Sequence, residues 1–441
     1  MYDIIVAGGG VAGVSAAVAA ARLGADVVLV ERYGFLGGCT TAGLVNPFMT
    51  HETLDGKTKL VAGLFDEIKD RLKAYDGIMV NCFDPEVMKI VLLDMVLEAN
   101  VTVKFHSLIN ETKDEKVYYE MEIINKSGKE ILQAKRIIDT SGDGDVAYSL
   151  GADYEQGNKN GKPQAVTLMF DMAGVDLDKT LEYAKENPEE FLFPKWDANT
   201  DLEEIKTKAW SLAGFYSIIK DKKKDYKFPG DLLFFISRPE NGIVTFNQTH
   251  SSVNSAVNID DIIKAEIECR YQMIEIVHFV KNNIPGFENA YLLRSADHIG
   301  IRESRRIMGD YVFSEEDVSY SKKHEDCICR LAYPVDVHAS TGEGYSKEEA
   351  TKSVPIPARD DWYEIPFRSL KISKIKNLLV AGKCISATQG GHGAIRIIPA
   401  CIATGQAAGT AFGICVRDSI KLENLDTNLL LKELRKNNAL V

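Results

Sequence analysis

DIIVAGGGVAGVSAAVAAARLGADVVLVERYGFLGG, residues 3–38, decides the fold of this 441-residue chain. Asp3 to Val6 is a short apolar strand. Gly8-Gly9-Gly10-Val11-Ala12-Gly13 is a turn that opens a helix of small residues, Val14 to Leu23. Gly24 ends that helix, and Ala25 to Val30 is a second apolar strand. Unbroken apolar runs of this kind suit parallel strands buried on both faces. The turn has the spacing Gly8-x-Gly10-x-x-Gly13, and Glu31 closes the second strand 18 residues after Gly13. Gly8 permits the tight turn, Gly10 lets a pyrophosphate approach the backbone, and Gly13 lets helix and strand pack closely. The helix N-terminus, with Val11 and Ala12, offers free N–H groups and partial positive charge. Glu31 can accept hydrogen bonds from both ribose hydroxyls and would repel a 2′-phosphate. This is a βαβ unit built for NAD or FAD.

Three further segments bear on the choice. Glu31-Arg32 is followed by Gly37-Gly38-Cys39-Thr40. Asp139-Thr140-Ser141-Gly142-Asp143-Gly144 follows an apolar run at the end of the first third of the chain. Near the C-terminus, Leu378 to Ala381 is a strand, Gly382-Lys383-Cys384 follows, then Gly390-Gly391-His392-Gly393-Ala394-Ile395-Arg396, then a helix from about Pro399 to Val416. Together with Arg302-Glu303-Ser304-Arg305-Arg306, the chain resembles a family of largely uncharacterised bacterial FAD-dependent oxidoreductases of the glutathione-reductase structural type. Fumarate reductase and succinate dehydrogenase flavoproteins are more distant relatives. The resemblance implies FAD, held by Gly8, Gly10, Val11, Ala12, Gly13, Glu31, Arg32, Gly37, Gly38, Cys39, Thr40, Val103, Ser141, Gly142, Asp143, Gly382, Gly393, Ala394 and Ile395. One position departs from the superfamily: Lys383 stands where an aspartate often binds the ribityl chain, and Asp143 is the candidate substitute. A second GxGxxG in strand–helix context is absent, so electrons are expected to pass through the substrate or an external acceptor or donor.

The expected fold class is α/β, a Rossmann-like FAD-binding domain with a small antiparallel hairpin and an inserted α+β substrate domain. Residues 1–150 give the first part of the FAD-binding domain. Residues 151–374 give the insert, mostly antiparallel, with strands at Val166 to Met172, Leu232 to Ser237 and Gly242 to Asn247. Residues 375–441 return to the FAD-binding domain. Helices are expected near Leu60 to Ala74, from Asp84-Pro85 to about Ala99, and from about Asp260 to Asn282. Lys220 to Asp225 is expected as a charged, solvated loop.

Composition narrows the function. Hydrophobic residues make up 45%, enough for a sizeable core and too many for a disordered chain. The net charge of −12, without a basic stripe, argues against nucleic acid or an anionic membrane as partner. A run of eighteen apolar residues is absent, so a membrane-spanning helix is not expected. The eight cysteines are scattered and none forms CxxC. They read as reduced thiols in a cytoplasmic protein. The expected partners are a small-molecule substrate, an electron acceptor or donor, and further copies in a homo-oligomer.

Four residues are candidates for the reaction. His392, in a glycine loop before the last helix, is a candidate acid or base facing the flavin, or else a histidine bonded to backbone. Arg396 can bind a substrate carboxylate or compensate an anionic flavin, or form an internal ion pair. If Ile301 to Gly309 is a strand, Arg302, Ser304 and Arg306 share one face and Arg305 the other. One arginine face can then fork around a carboxylate or the cofactor pyrophosphate, or else the segment is a surface or interface strand with Glu303 paired locally. Arg302 and Arg305 are the catalytic candidates. His250 and His298 are weaker candidates. Cys39 is a candidate redox thiol or flavin attachment point, or a small apolar residue. His324, Cys327, Cys329 and His338 do not match the usual zinc spacings, and no metal is expected.

Overall fold

The computed structural model describes residues 1–193, 199–346 and 353–441. Its first sheet runs in the order Thr102–Lys104, Val27–Val30, Tyr2–Ala7, Gly128–Asp139, Tyr119–Asn125, Leu108–Asp114, with Leu378–Val380 also paired to Gly128–Asp139. Strands Thr102–Lys104, Val27–Val30, Tyr2–Ala7 and Leu378–Val380 are parallel to the part of the sheet they join. The long strand Gly128–Asp139 does two jobs. Its first half forms an antiparallel hairpin with Tyr119–Asn125, and its second half lies between Tyr2–Ala7 and Leu378–Val380. The two ends of the chain therefore meet in one sheet. The strand Leu108–Asp114 escapes sequence reading because its pattern, LINETKD, is almost wholly exposed.

The first helix, Val11–Ala21, packs on the last long helix, Ile398–Arg417, through small side chains. A Cβ added at Gly405 would lie 2.1 Å from the Ala12 carbonyl oxygen, and one at Gly409 would lie 2.1 Å from that of Ala16. Ile398–Arg417 is long and apolar enough to cross a membrane, contrary to the strict apolar-run test. Its threonines and glycines interrupt a run without making it polar. Here the helix is almost wholly buried inside the first core.

The second sheet is antiparallel, in the order Phe191–Phe193, Ser211–Gly214, Leu233–Ser237, Val244–Phe246, Phe170–Ala173, Tyr291–Ser295. Its core is aromatic: Phe170 stacks on Phe246 at 5.0 Å, and Phe235 and Phe287 close around them. The helix Ile259–Asn283 covers it through Met273, Ile276, Val277 and Val280. Lys220 to Asp225, expected as a loop, is helical, split between Tyr216–Lys222 and a 3-10 turn at Lys223–Asp225.

The insert ends earlier than residue 374. Ile307, Phe313, Val318, Leu331, Tyr363, Ile365 and Leu370 give their side chains to the first core, not the second. The hairpin of Cys327–Leu331 with Tyr363–Pro366 thus belongs, by packing, with the nucleotide-type sheet. The antiparallel sheet and its helix form the remaining body, and residues 302–306 lie at the passage between the two.

Candidate active site

The glycine turn lies at the carboxyl end of strand Tyr2–Ala7, the edge at which open α/β sheets bind ligands. Each glycine has a distinct duty. Gly8 has φ +106°, and a Cβ on it would sit 2.7 Å from the Thr140 carbonyl oxygen. A Cβ on Gly13 would lie 1.9 Å from the Gly8 oxygen, so only glycine lets the helix seat against the strand. A Cβ on Gly10 would meet nothing within 4 Å. Gly10 therefore faces open space at the N-terminus of a helix with no side-chain cap among the described residues, a cradle of the kind a pyrophosphate fills.

The second glycine pair closes on this turn. The Gly37 N–H donates to the Gly9 oxygen at 2.8 Å, and Gly38 packs against Gly10. The Glu31 carboxylate accepts from the Gly9 N–H at 2.7 Å and the Tyr33 N–H at 2.9 Å. Burial raises its pKa, and the two N–H groups act against that rise. Each oxygen keeps a further lone pair for a ribose hydroxyl. Asp139, fully buried, is structural: it accepts from Ser141 and Ala147 and shapes the loop that presents Ser141, Gly142 and Asp143. Gly382, at φ +88°, brings the end of the last strand against Ala12.

Gly10, Gly38, Cys39, Ser141, Gly142, Asp143 and Lys383 are partly open and Arg32 is exposed. Val103 is half-buried in its strand, and Thr40 is buried, its hydroxyl donating to the Gly37 oxygen. Lys383 pairs with Asp143 at 2.8 Å, and the Ser304 hydroxyl donates to the same carboxylate oxygen. Burial would raise the Asp143 carboxyl, but Lys383 and Ser304 outweigh it and hold it below its usual value. The departure at 383 is thus compensated inside the groove, lysine for aspartate with an aspartate opposite. Burial also keeps the Cys39 thiol above its ordinary pKa, which disfavours a reactive thiolate.

The segment 390–396 differs from expectation. Gln389–Ile395 is a helix, capped by the Thr388 hydroxyl, and not a loop. Its glycines admit protein backbone: Cβ atoms on Gly391 and Gly393 would lie 2.4 Å and 2.7 Å from the carbonyl oxygens of Phe313 and Asp336. His392 is only 1% exposed. Burial, then the charges of Arg396, Arg306 and Lys383, push its pKa far down. It is a neutral interior histidine and presents no face to an open cofactor groove. Gly393, Ala394 and Ile395 are equally enclosed.

The arginine-rich segment is also rearranged. Only Arg305–Ile307 is strand, so the alternation expected over 301–309 does not hold. Arg305 pairs with Asp145 at 2.8 Å and lies 4.2 Å over the Tyr148 ring, spent on the fold. Arg306 is buried and bonded to Glu303, Ala387 and Gly157.

Arg302 is different. It donates to the Ala165 oxygen at 2.8 Å and to Thr167, and at longer range to Asn247 (3.3 Å) and the Tyr345 hydroxyl (3.4 Å). Among the described residues it has no carboxylate at ion-pair distance. Around it stand His250 and His338, whose rings lie 4.7 Å and 5.4 Å from that of Tyr345. Asp336 faces His338 at 3.3 Å and Arg396 at 3.0 Å. Arg396 is therefore engaged by Asp336, through both carboxylate and carbonyl. Its carbonyl receives the Cys401 thiol. Tyr345, Asp336 and Asn247 carry no local signal; two segments far apart in sequence, the one after Val244–Phe246 and the one after Cys327–Leu331, bring them together. His298 lies apart, stacked on Tyr33. His324 sits against Tyr311, away from His338, and among the described residues no three metal-ligating side chains cluster.

The family model described as FAD dependent oxidoreductase matches residues 3–437. The search of curated proteins finds no match. Among solved structures the chain is similar to p-nitrophenol 4-monooxygenase from Pseudomonas putida DLL-E4, at 11% identity, covering 98% of this chain and 83% of that one, with a TM-score of 0.44. It is also similar to a geranylgeranyl bacteriochlorophyll reductase-like protein from Thermoplasma acidophilum, at 13% identity, 98% and 82% coverage and a TM-score of 0.44. A flavin-dependent brominase matches at 11% identity, 99% and 85% coverage and a TM-score of 0.47. Since the family model spans nearly the whole chain, the protein belongs to the FAD dependent oxidoreductase family, and its cofactor is FAD.

Proposed function

We propose that the protein moves a hydride between FAD and a small anionic organic molecule bound where the two bodies of the chain meet. The observation that carries this reading is Arg302, a partly buried guanidinium at that boundary with no carboxylate of its own among the described residues. A buried unpaired cation is costly, and a bound anion relieves the cost.

In this reading Gly10, the first turn of Val11–Ala21 and Glu31 hold the nucleotide half of the cofactor. Gly38, Asp143, Gly382 and Lys383 line its path toward the pocket. Bound FAD supplies a two-electron acceptor or donor. The chain supplies the rest. Arg302, with Asn247 and Tyr345, fixes the substrate's anionic group. Arg396 and the N-terminus of Ile398–Arg417 add positive potential where negative charge gathers. The two bodies exclude water between them. An external acceptor or donor completes the cycle, since the chain has a single dinucleotide fingerprint.

The test is anaerobic incubation of the yellow holoenzyme with a panel of metabolites, each carboxylate beside its neutral amide or ester. Bleaching of the flavin band by a carboxylate and not by its neutral counterpart is expected. Bleaching by neutral compounds alone would overturn the reading.

A further inference from the structure

The anion pocket contains a proton-handling group that the sequence does not reveal. We propose that His338, oriented by Asp336, takes up and releases the proton at this site, and that its protonation is coupled to an anion seated on Arg302. The inference rests on the anionic-substrate reading above and deepens it.

Geometry carries the argument. The His338 Nε2 faces the Asp336 carboxylate at 3.3 Å. Asp336 is fixed in turn, accepting from Arg396 at 3.0 Å and from the Tyr333 hydroxyl at 3.3 Å. The Gln164 side chain accepts from the His338 backbone N–H at 2.9 Å, and a Gln164 side-chain bond to the buried Glu303 steadies it. A carboxylate that orients a histidine selects its tautomer and stabilises the imidazolium when it forms. His338 keeps 17% of its side chain accessible, whereas His392 has almost none.

Charge counting gives the coupling. Arg302 and Arg396 contribute two positive charges and Asp336 one negative. Among the described residues the remaining titratable groups facing His338 are His250, from the segment after strand Val244–Phe246, with Tyr345 and Tyr333 from the same stretch of chain as His338 itself. Burial and Arg302 push His250 down to about 3, so it is neutral. Both tyrosines lie above their usual value, chiefly through burial, and are neutral as well. Counted over the described residues, the pocket thus carries one uncompensated positive charge. A monocarboxylate cancels it. Burial and then Arg302 hold His338 below its ordinary value, against the pull of Asp336. Neutralising Arg302 removes the second of these causes. The bound anion therefore favours the imidazolium, with the proton drawn from solvent.

The test uses the FAD-loaded protein and propionate as probe, with propionamide as the uncharged control. Binding is followed by the flavin difference spectrum, and proton uptake by calorimetry in two buffers of different ionisation heat. Propionate should bind with uptake of up to one proton per chain. Its Kd should tighten as pH falls, approaching tenfold per unit between the free and bound pKa of His338. Propionamide should bind at least tenfold more weakly. His338→Gln should still bind propionate but without proton uptake or pH dependence. Tyr345→Phe, a milder change, should weaken propionate while keeping the uptake. Wild-type binding without proton uptake, or uptake that survives His338→Gln, overturns the assignment of His338. Failure of propionate to bind folded, yellow wild-type protein overturns the anion site itself, and the proposal with it.

Discussion

Glu31 shows how one residue serves both fold and ligand. Its carboxylate already ties the Gly9 and Tyr33 N–H groups, so it fixes the glycine turn before any ribose arrives. Glu31→Ala is expected to weaken FAD binding by about 1–3 kcal/mol, read from the free-FAD fraction at equilibrium. A second prediction concerns pH. Burial raises the Asp336 carboxyl, but His338 and Arg396 outweigh it and hold it well below the ordinary value. A depressed carboxylate stabilises the fold above its unfolded pKa of about 4, and that share is lost as pH falls toward the folded pKa. Asp336→Asn lacks this share at every pH. The gap between the two proteins in urea midpoint should therefore shrink below about pH 4. The glycine fingerprint is legible in sequence because spacing alone determines its geometry. His392 is not, because its burial depends on Phe313 and Asp336, which approach from far along the chain.

Among the elements, the pair Val11–Ala21 and Ile398–Arg417 is the most demanding. Its contacts are glycine against backbone, with no side chain able to move aside. Gly409→Val should lower stability by more than about 1–3 kcal/mol, the usual cost of overpacking, measured as a fall in melting temperature with loss of bound FAD. The helix Pro85–Glu98 was legible at its start: Asp84 accepts from the Glu86 N–H and Pro85 occupies the first turn. The helix Gln389–Ile395 was not. Its sequence, QGGHGAI, is poor in helix formers, and tertiary packing with the Thr388 cap overrides propensity. The expected strand at 301–309 failed for a related reason, since Arg302 and Glu303 turn away to bond Thr167 and Arg306.

At the scale of the whole molecule, a buried ion network ties the two bodies together. Asp171, fully buried in the antiparallel sheet, meets Arg238 at 3.0 Å and Arg294 at 2.8 Å. Arg238 reaches on to Asp84 at 3.1 Å, and Arg294 to Glu86, both at the start of a helix in the first core. Asp171→Ala removes the central carboxylate, while Arg238 keeps Asp84 and Glu240 and Arg294 keeps Glu86. It should destabilise the fold by less than the about 3–5 kcal/mol of a buried charge left wholly unpaired, and chemical denaturation checks it. The two-body plan was legible from the return of α/β character near residue 377. The boundary was not, because the short antiparallel strands Arg305–Ile307, Cys327–Leu331 and Tyr363–Pro366 bury Ile307, Ile328, Leu331, Tyr363 and Ile365 in the first core. The central claim is that the Arg302–His338 pocket and the cofactor groove are one site. A crystal structure of the FAD-loaded protein soaked with propionate tests it most directly. The isoalloxazine ring is expected at the mouth of that pocket, with the carboxylate on Arg302. A ring walled off from Arg302, or a carboxylate bound elsewhere, would contradict it.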